Sequence, residues 1–291
     1  MPRLRPRTLL VVYRFISLPL VLVLWTNHIC GQAAPSGGEG APSLAGQTLV
    51  DRALANEVNA AEDHSHPMRY QLHKSSPRLT TTKEILETRE GDVARLIAMR
   101  DNPLSAATEV DEEARLSALL DAPGKQRRRK QAEDEDAARV MKVLRALSTA
   151  FLYQDAGPGE GPTGKVEKFT FRPNPAFSPP DLETAVLPAM SGEIWIDPVH
   201  LRIVRIEGRV QQDVNFGWGI LGRLNKGGWI VIEQAEVVQG QWRIVRLEMQ
   251  MSGRFVVRNR VFDTTEEETH YAPLPKGMGY REAIEMLLSS K

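Results

Sequence analysis

Three glycines in the stretch NFGWGILGRLNKGGW, Gly217, Gly219 and Gly222, have the G-x-G-x-x-G spacing that cradles a dinucleotide pyrophosphate. That chemistry needs a strand before the glycines, a helix opening on the third, and an acid about twenty residues on. Here RLNKGG and then the alternating WIVIEQAEV follow, and Glu236 falls inside that strand. No helix dipole faces an anion there, and the segment reads as a glycine-relieved connection at a sheet rim. Its large apolar residues, Phe216, Trp218, Ile220 and Leu221, are expected to pack under a neighbouring element, with a contact surface as the alternative.

Three other clusters have reactive side chains. EDHSHP (residues 62–67) offers Asp63, His64 and His66 to a metal, but a site needs three or four converging ligands and no second group is evident, so a solvated loop is expected. TTEEETH (residues 264–270) sets Glu268 beside His270; it reads as a charged strand edge that discourages edge pairing, with an unrecognised hydrolase based on these two residues as the remote alternative. GKQRRRKQ (residues 124–131) brings five cations between two helices and reads as a solvated loop neutralised by the acids that follow, with contact to phosphates or lipid headgroups as the alternative. The sequence contains no G-x-S-x-G, no H-E-x-x-H, no paired cysteines and no phosphate loop ending in Gly-Lys-Ser/Thr. The expectation is a protein that is not an enzyme, with no metal and no cofactor.

The amino-terminal residues bear on compartment. Arg3, Arg5 and Arg7 precede an apolar run over residues 15–25, and small residues follow at 31–33, the pattern of a cleaved secretory signal over residues 1–33. The apolar run is well short of the roughly 20 residues of a spanning helix; an uncleaved membrane anchor is the alternative. Cys30 is the single cysteine, so cleavage after Ala33 leaves a chain without disulfides or thiolate metal sites. The whole chain balances 37 basic against 37 acidic residues, and the signal carries four arginines and no acid, leaving 33 against 37. A slightly acidic mature chain offers no general attraction to nucleic acid and at most peripheral contact with a membrane. A periplasmic or secreted protein is expected.

The elements that must position any site follow from periodicity. Residues 34–46 are Pro-, Gly- and Ser-rich and read as a flexible linker, leaving residues 47–291 as a single domain. Residues 47–61 repeat at helical spacing; MRYQLHK alternates as a strand; KEILETR and VARLIAM flank a turn at Glu90, Gly91 and Asp92. Helices are expected over residues 108–120 and 133–147, the second with four acids in its first turn. From Val166 to Tyr271 apolar and polar residues alternate, with a hairpin at Gly240, which implies an antiparallel sheet; a short helix over residues 281–288 ends the chain.

The order of these elements, with MSGEIWIDPVHLRIVRIEGRV (residues 190–210), FRPNPAFSPP before it and GRFVVRNRVFDTTEEETHY after it, resembles the LolA/LolB superfamily of lipoprotein carriers, which includes RseB-like sensors and LppX-like lipid carriers. The basic segment at residues 125–130 and the proline-rich segment at 173–188 depart from it, and no functional residue of the family maps onto this chain. The resemblance implies an α+β fold: a strongly curved antiparallel sheet, an incomplete, half-open β-barrel, with helices packed over its concave face. It implies a non-enzymatic periplasmic carrier or binder of a lipid, lipoprotein acyl group or other apolar ligand. The alternative is an RseB-like protein-interaction or envelope-stress sensor module whose partner is an envelope protein. The wall of such a cavity would come from the alternating apolar residues Ile194, Ile196, Val204, Ile206, Val245, Leu247, Met249 and Met251, which an ordinary filled core would equally explain.

Overall fold

The computed structural model describes residues 44–216, 222–255 and 258–289; residues 1–43, where a secretory signal and most of a linker are expected, and Gly217, Trp218, Gly219, Ile220 and Leu221 lie outside the described residues. Helix α1 (Leu44–Glu62) precedes strands β1 (Met68–Ser75), β2 (Thr81–Leu86), β3 (Val93–Met99) and β4 (Asn102–Pro103). Helices α2 (Ala106–Leu120) and α3 (Pro123–Ala150) interrupt the sheet. It resumes with β5 (Phe151–Gly161), β6 (Gly164–Pro173), β7 (Met190–Asp197), β8 (Arg202–Val210), β9 (Val214–Phe216) and β10 (Gly222–Leu224). Strands β11 (Trp229–Val238), β12 (Gln241–Phe255) and β13 (Arg258–Pro273) complete it, and α4 (Tyr280–Ser289) follows.

The fold is α+β. Every strand pairing among the described residues is antiparallel, in the order β4-β3-β2-β1-β13-β12-β11-β8-β7-β6-β5, with the β9–β10 pair attached to β12. The sheet is open, with β4 and β5 as its ends, and it is not the strongly curled half-barrel expected from the sequence. Helices occupy parts of both faces, so apolar surface is buried by layering on each side. On one face, here the front, α1 and α3 cover the core centred on Phe169, Ile194 and Ile203. On the back, α4 covers Leu86 and Val93, and α2 closes against the same cluster.

Local sequence explains the turns. Gly91 takes φ 99° between β2 and β3, and Gly240 takes φ 74° between β11 and β12. Arg100 and Asp101 both have positive φ in the two-residue turn from β3 to β4, which matches the twist of the strands it joins. Past β4 the edge of β3 is capped by side chains: the Leu96 amide donates to Glu112 Oε1 at 2.7 Å, and Arg115 donates to the Ala94 carbonyl at 2.6 Å. Helix α2 thereby satisfies an edge that would otherwise pair with another chain.

Two expectations are corrected. The basic segment 124–131 is no loop: it forms the first turns of α3, where Pro123 stands at the start and Lys130 pairs with Asp134 one turn on. Cations at a helix start oppose the dipole, which is why the sequence suggests a start only at the acids. The segment 264–270 is no edge either, because β13 pairs with β12 on one side and β1 on the other. Its charges are absorbed across strands, Glu266 by Lys74 and Glu267 by Arg246.

On the back face the registers align Lys168, Trp195, Arg205, Glu233, Arg246, Glu267 and His73 as one row from β6 to β1. Lys168 Nζ lies 3.9 Å from the Trp195 ring centroid, Arg205 pairs with Glu233, and Arg246 lies 3.3 Å from Glu267. Alternating charge along neighbouring strands thus becomes a ladder of opposite charges across them.

Candidate functional site

The corresponding front row runs Phe169, Ile194, Ile206, Ile232, Leu247, Glu266, Lys74, Thr81 from β6 to β2. It is apolar over five strands and then becomes charged. Its β6–β8 part is packed beneath α1 and α3, with Ile194 and Ile196 at most 1 % exposed. Towards β12 the cover thins: Ile232, Leu247 and Met249 are half-buried, while Met251 packs against the edge of the core.

Helix α1 is fixed to the front face at a β-bulge. At β7–β8, Trp195 pairs with Arg205 but Ile196 pairs with Ile203, so Val204 is the extra residue. A bulge leaves backbone groups outside the ladder, and here the Ile203 amide donates to Glu57 Oε1 of α1 at 2.9 Å. The bulge also turns Val204 to the back, where it packs with Val166 and Trp242, while Ile203 takes its place in the front core. A second bulge between Glu233 and Gln234 makes Val245 the extra residue of β12. Of the expected wall residues, Ile194, Ile196, Ile206, Leu247, Met249 and Met251 therefore share the front face; Val204 lies on the back and Val245 stands at an irregularity.

Helix α3 joins the β2–β3 end of the sheet to its β5 end. Its 28 residues cover about 42 Å, and the nine strand spacings from β3 to β5 come to about 43 Å. Its start is tied to the β2–β3 turn: Gln126 donates to the carbonyls of Glu90 and Gly91 at 3.1 and 2.8 Å, and Arg129 donates to that of Asp92 at 3.3 Å. Its last turns carry Val143, Leu144, Ala146 and Leu147 into the core. Between these anchors, residues 131–142 are mostly charged or small, and all are exposed or half-buried. The principal backbone neighbours of α3 are α1, α2, β5 and the short 3-10 helix Leu187–Ala189 rather than β11, β12, β13 or β1. Helix α3 is thus anchored at both ends, and its middle contributes little apolar cover.

At the charged end of the front row, Lys74 Nζ lies 2.6 Å from Glu266 Oε1, both groups mostly buried. Lys83 shares this side, and burial first, then the nearby charges of Lys74 and Arg115, hold its ammonium below the usual lysine range. Burial likewise lowers Lys74 against the opposing pull of Glu266. Between α1 and α3 a concavity of about 500 Å³ opens to solvent, lined by Leu54, Val58 and Leu144 together with Asp51, Asn59 and Arg145.

The clusters with reactive side chains do not converge. Asp63 accepts from the Ser65 amide at 2.8 Å and contacts the His66 ring at 3.1 Å, in an exposed loop. Among the described residues no group of three His, Cys, Asp or Glu has metal-holding geometry. His270 has positive φ at the β1–β13 bulge and its exposed ring meets Thr269, whereas Glu268 hydrogen-bonds Tyr271, whose phenol is pushed upward by burial and by that carboxylate. Gly222 opens β10 rather than a helix; Gly217 and Gly219 are outside the described residues. The sequence reading missed Glu57, which α1 carries onto β8, and Lys74 and Lys83, which the β1–β2 register brings to one side.

No family model matches this sequence, and no curated protein does. Two solved structures are similar to it. One is an outer membrane lipoprotein-sorting protein domain from Vibrio parahaemolyticus, with TM-score 0.33, 10% identity, and coverage of 82% of this chain and 99% of that one. The other is a DUF1329 family protein from Desulfovibrio piger, with TM-score 0.31, 9% identity, and coverage of 80% and 94%.

Proposed function

We propose that the chain is a non-enzymatic binder or carrier of an apolar ligand, a lipid or lipoprotein acyl group, in the bacterial periplasm. The ligand lies on the front face between α3 and the central strands. The observation that carries this reading is the half-buried row Ile232, Leu247 and Met249, which continues the packed front core onto strands that α3 does not closely contact. The arginine-flanked apolar leader supports export. Burial supplies about 0.8 kcal/mol per CH₂, so ten methylenes contribute roughly 8 kcal/mol before ordering costs, and no charged catalytic group is needed. Methionines at 249 and 251 suit a wall that adapts to varied chains. Native mass spectrometry of the purified full chain tests this: an adduct of acyl mass, removed by organic extraction, is expected. Its absence, with no binding of added fatty acid, would contradict the carrier and favour a protein-recognition module.

A further inference from the structure

Over the middle strands the back-face arginines stand opposite carboxylates, Arg205 by Glu233 and Arg246 by Glu267. That matching stops at one end of the sheet. Past Trp229 on one side and Ser75 on the other, β12 and β13 run on to Phe255 and Arg258, with β10 and then β9 paired alongside β12. The extension of β12 is about 17 Å long at about 3.4 Å per residue. It is fixed from the front by Val214, Phe216 and Leu224 of β9 and β10, which are buried in the core. On its back Arg223 stands directly opposite Arg254, and like charges so placed destabilise a strand pair. Arg260 stands opposite Gly253, on the side of Leu224, so both sides carry cations.

The three arginines and Lys226 are exposed, and Val261 beside them is 72 % exposed. The acid within the extension, Asp213, is engaged by Arg223 and by the Lys226 amide. Asp263 stands opposite Gln250, four residues along β12 from Arg254. Neither Arg254 nor Arg260 pairs with an acid among the described residues. In sequence the chain leaves this end through GWGIL (residues 217–221) and VV (residues 256–257), which lie outside the described residues and form no part of the surface assigned.

We infer that this end of the sheet, at Arg223, Arg254 and Arg260, docks on a bilayer surface bearing anionic phospholipid headgroups. A plane of phosphates meets cations on both sides of a strand end at once, which a partner matched to one sheet face does not. Each cation near such a surface strengthens binding about fivefold, and salt screens the attraction over about 10 Å at 0.1 M. The inference does not depend on the apolar-ligand reading.

The test is co-sedimentation of the protein, isolated after export, with vesicles of phosphatidylcholine alone or with 30 mol% phosphatidylglycerol. Wild type is expected to partition at least tenfold more strongly onto the anionic vesicles at low salt, and to lose that preference in 0.5 M NaCl. The double variant Arg254→Ala with Arg260→Ala should lose at least tenfold of the anionic binding, and Arg254→Lys with Arg260→Lys should keep it, with Tm within a few degrees of wild type for both. Arg127→Ala with Arg128→Ala, on the exposed basic start of α3, should leave the preference unchanged. Equal binding of wild type to the two vesicles, binding to neither, or a preference that survives the Arg254 and Arg260 alanines overturns the assignment. So does a preference removed as fully by the α3 alanines, which places the contact on α3. Wild-type binding to polyglutamate as tight as to the anionic vesicles identifies an acidic protein partner and overturns the bilayer.

Discussion

Glu57 of α1 receives both arms of the Arg202 guanidinium, from Nε and from a terminal nitrogen, each at 2.8 Å, and also accepts from the Ile203 amide. One carboxylate thus holds a helix on a sheet and satisfies the backbone of a bulge. Because both side chains are largely buried, removing one leaves the other charge without compensation. Glu57→Ala should lower unfolding free energy by about 3–5 kcal/mol in urea titrations, whereas Arg246→Ala on the exposed ladder should cost under about 1 kcal/mol. Equal losses would contradict the anchoring role.

The β7–β8 turn carries a pH dependence. The Asp197 carboxyl is raised by burial, but hydrogen bonds from the His200 ring and from the His200 and Val199 amides outweigh this, leaving it below its ordinary 3.8. Asp197 in turn raises His200 above 6.5. The histidine's contribution is fully present below pH 6.5 and is lost as pH rises through its raised value. The carboxylate's is present above pH 3.8 and is lost as pH falls through its lowered value. Wild type should therefore lose stability as pH rises above 6.5, measured as the urea midpoint, and Asp197→Asn should flatten that decline. An identical slope in the variant would show that the pair does not contribute.

Gly192 is required by close approach. A Cβ there would lie 1.8 Å from the Glu207 carbonyl oxygen and 2.9 Å from Phe171 Cζ, the ring that lies against the strand pair. Since backbone cannot give way as a side chain tip can, Gly192→Ala should cost about 2–3 kcal/mol. A thermal scan showing wild-type Tm would refute this packing.

How far the sequence foretells this structure depends on what breaks alternation. The β2–β3 hairpin is legible because Gly91 punctuates two apolar runs, and β11–β12 because Gly240 does the same. The front and back faces are legible wherever pairing is regular, as at Ile194, Ile206 and Leu247. They are misread at Val204 and Val245, since one extra residue in a strand reverses its sides and leaves no compositional mark. Helix α3 is shortened in the sequence reading because its first turns are cationic, and β5 goes unnoticed because its second half, DAGPGEG, has no apolar period. The lysine pair is invisible locally: Lys74 and Lys83 face one another only through the β1–β2 register, and Glu266 reaches Lys74 from nearly two hundred residues away.

Burial separates the packed part of the front row from the part assigned to ligand. Ile194→Asp places a charge where the wild-type side chain is 1 % exposed and should prevent folding, seen as loss of a cooperative transition. Leu247→Asp, at a half-buried position, should leave a cooperative fold yet weaken palmitate binding at least tenfold, or about 1.4 kcal/mol. If Leu247→Asp binds palmitate as wild type does, the central strands are not the wall.

The place of the ligand can be read by photocrosslinking with a diazirine-bearing palmitate and mapping the adducts by peptide mass spectrometry. The expected labels fall on β11 and β12, around Ile232, Leu247 and Met249, and on the middle of α3. Labels confined to the groove between α1 and α3, at Leu54, Val58 and Leu144, or an absence of specific labelling, would contradict a binding site between α3 and the central strands.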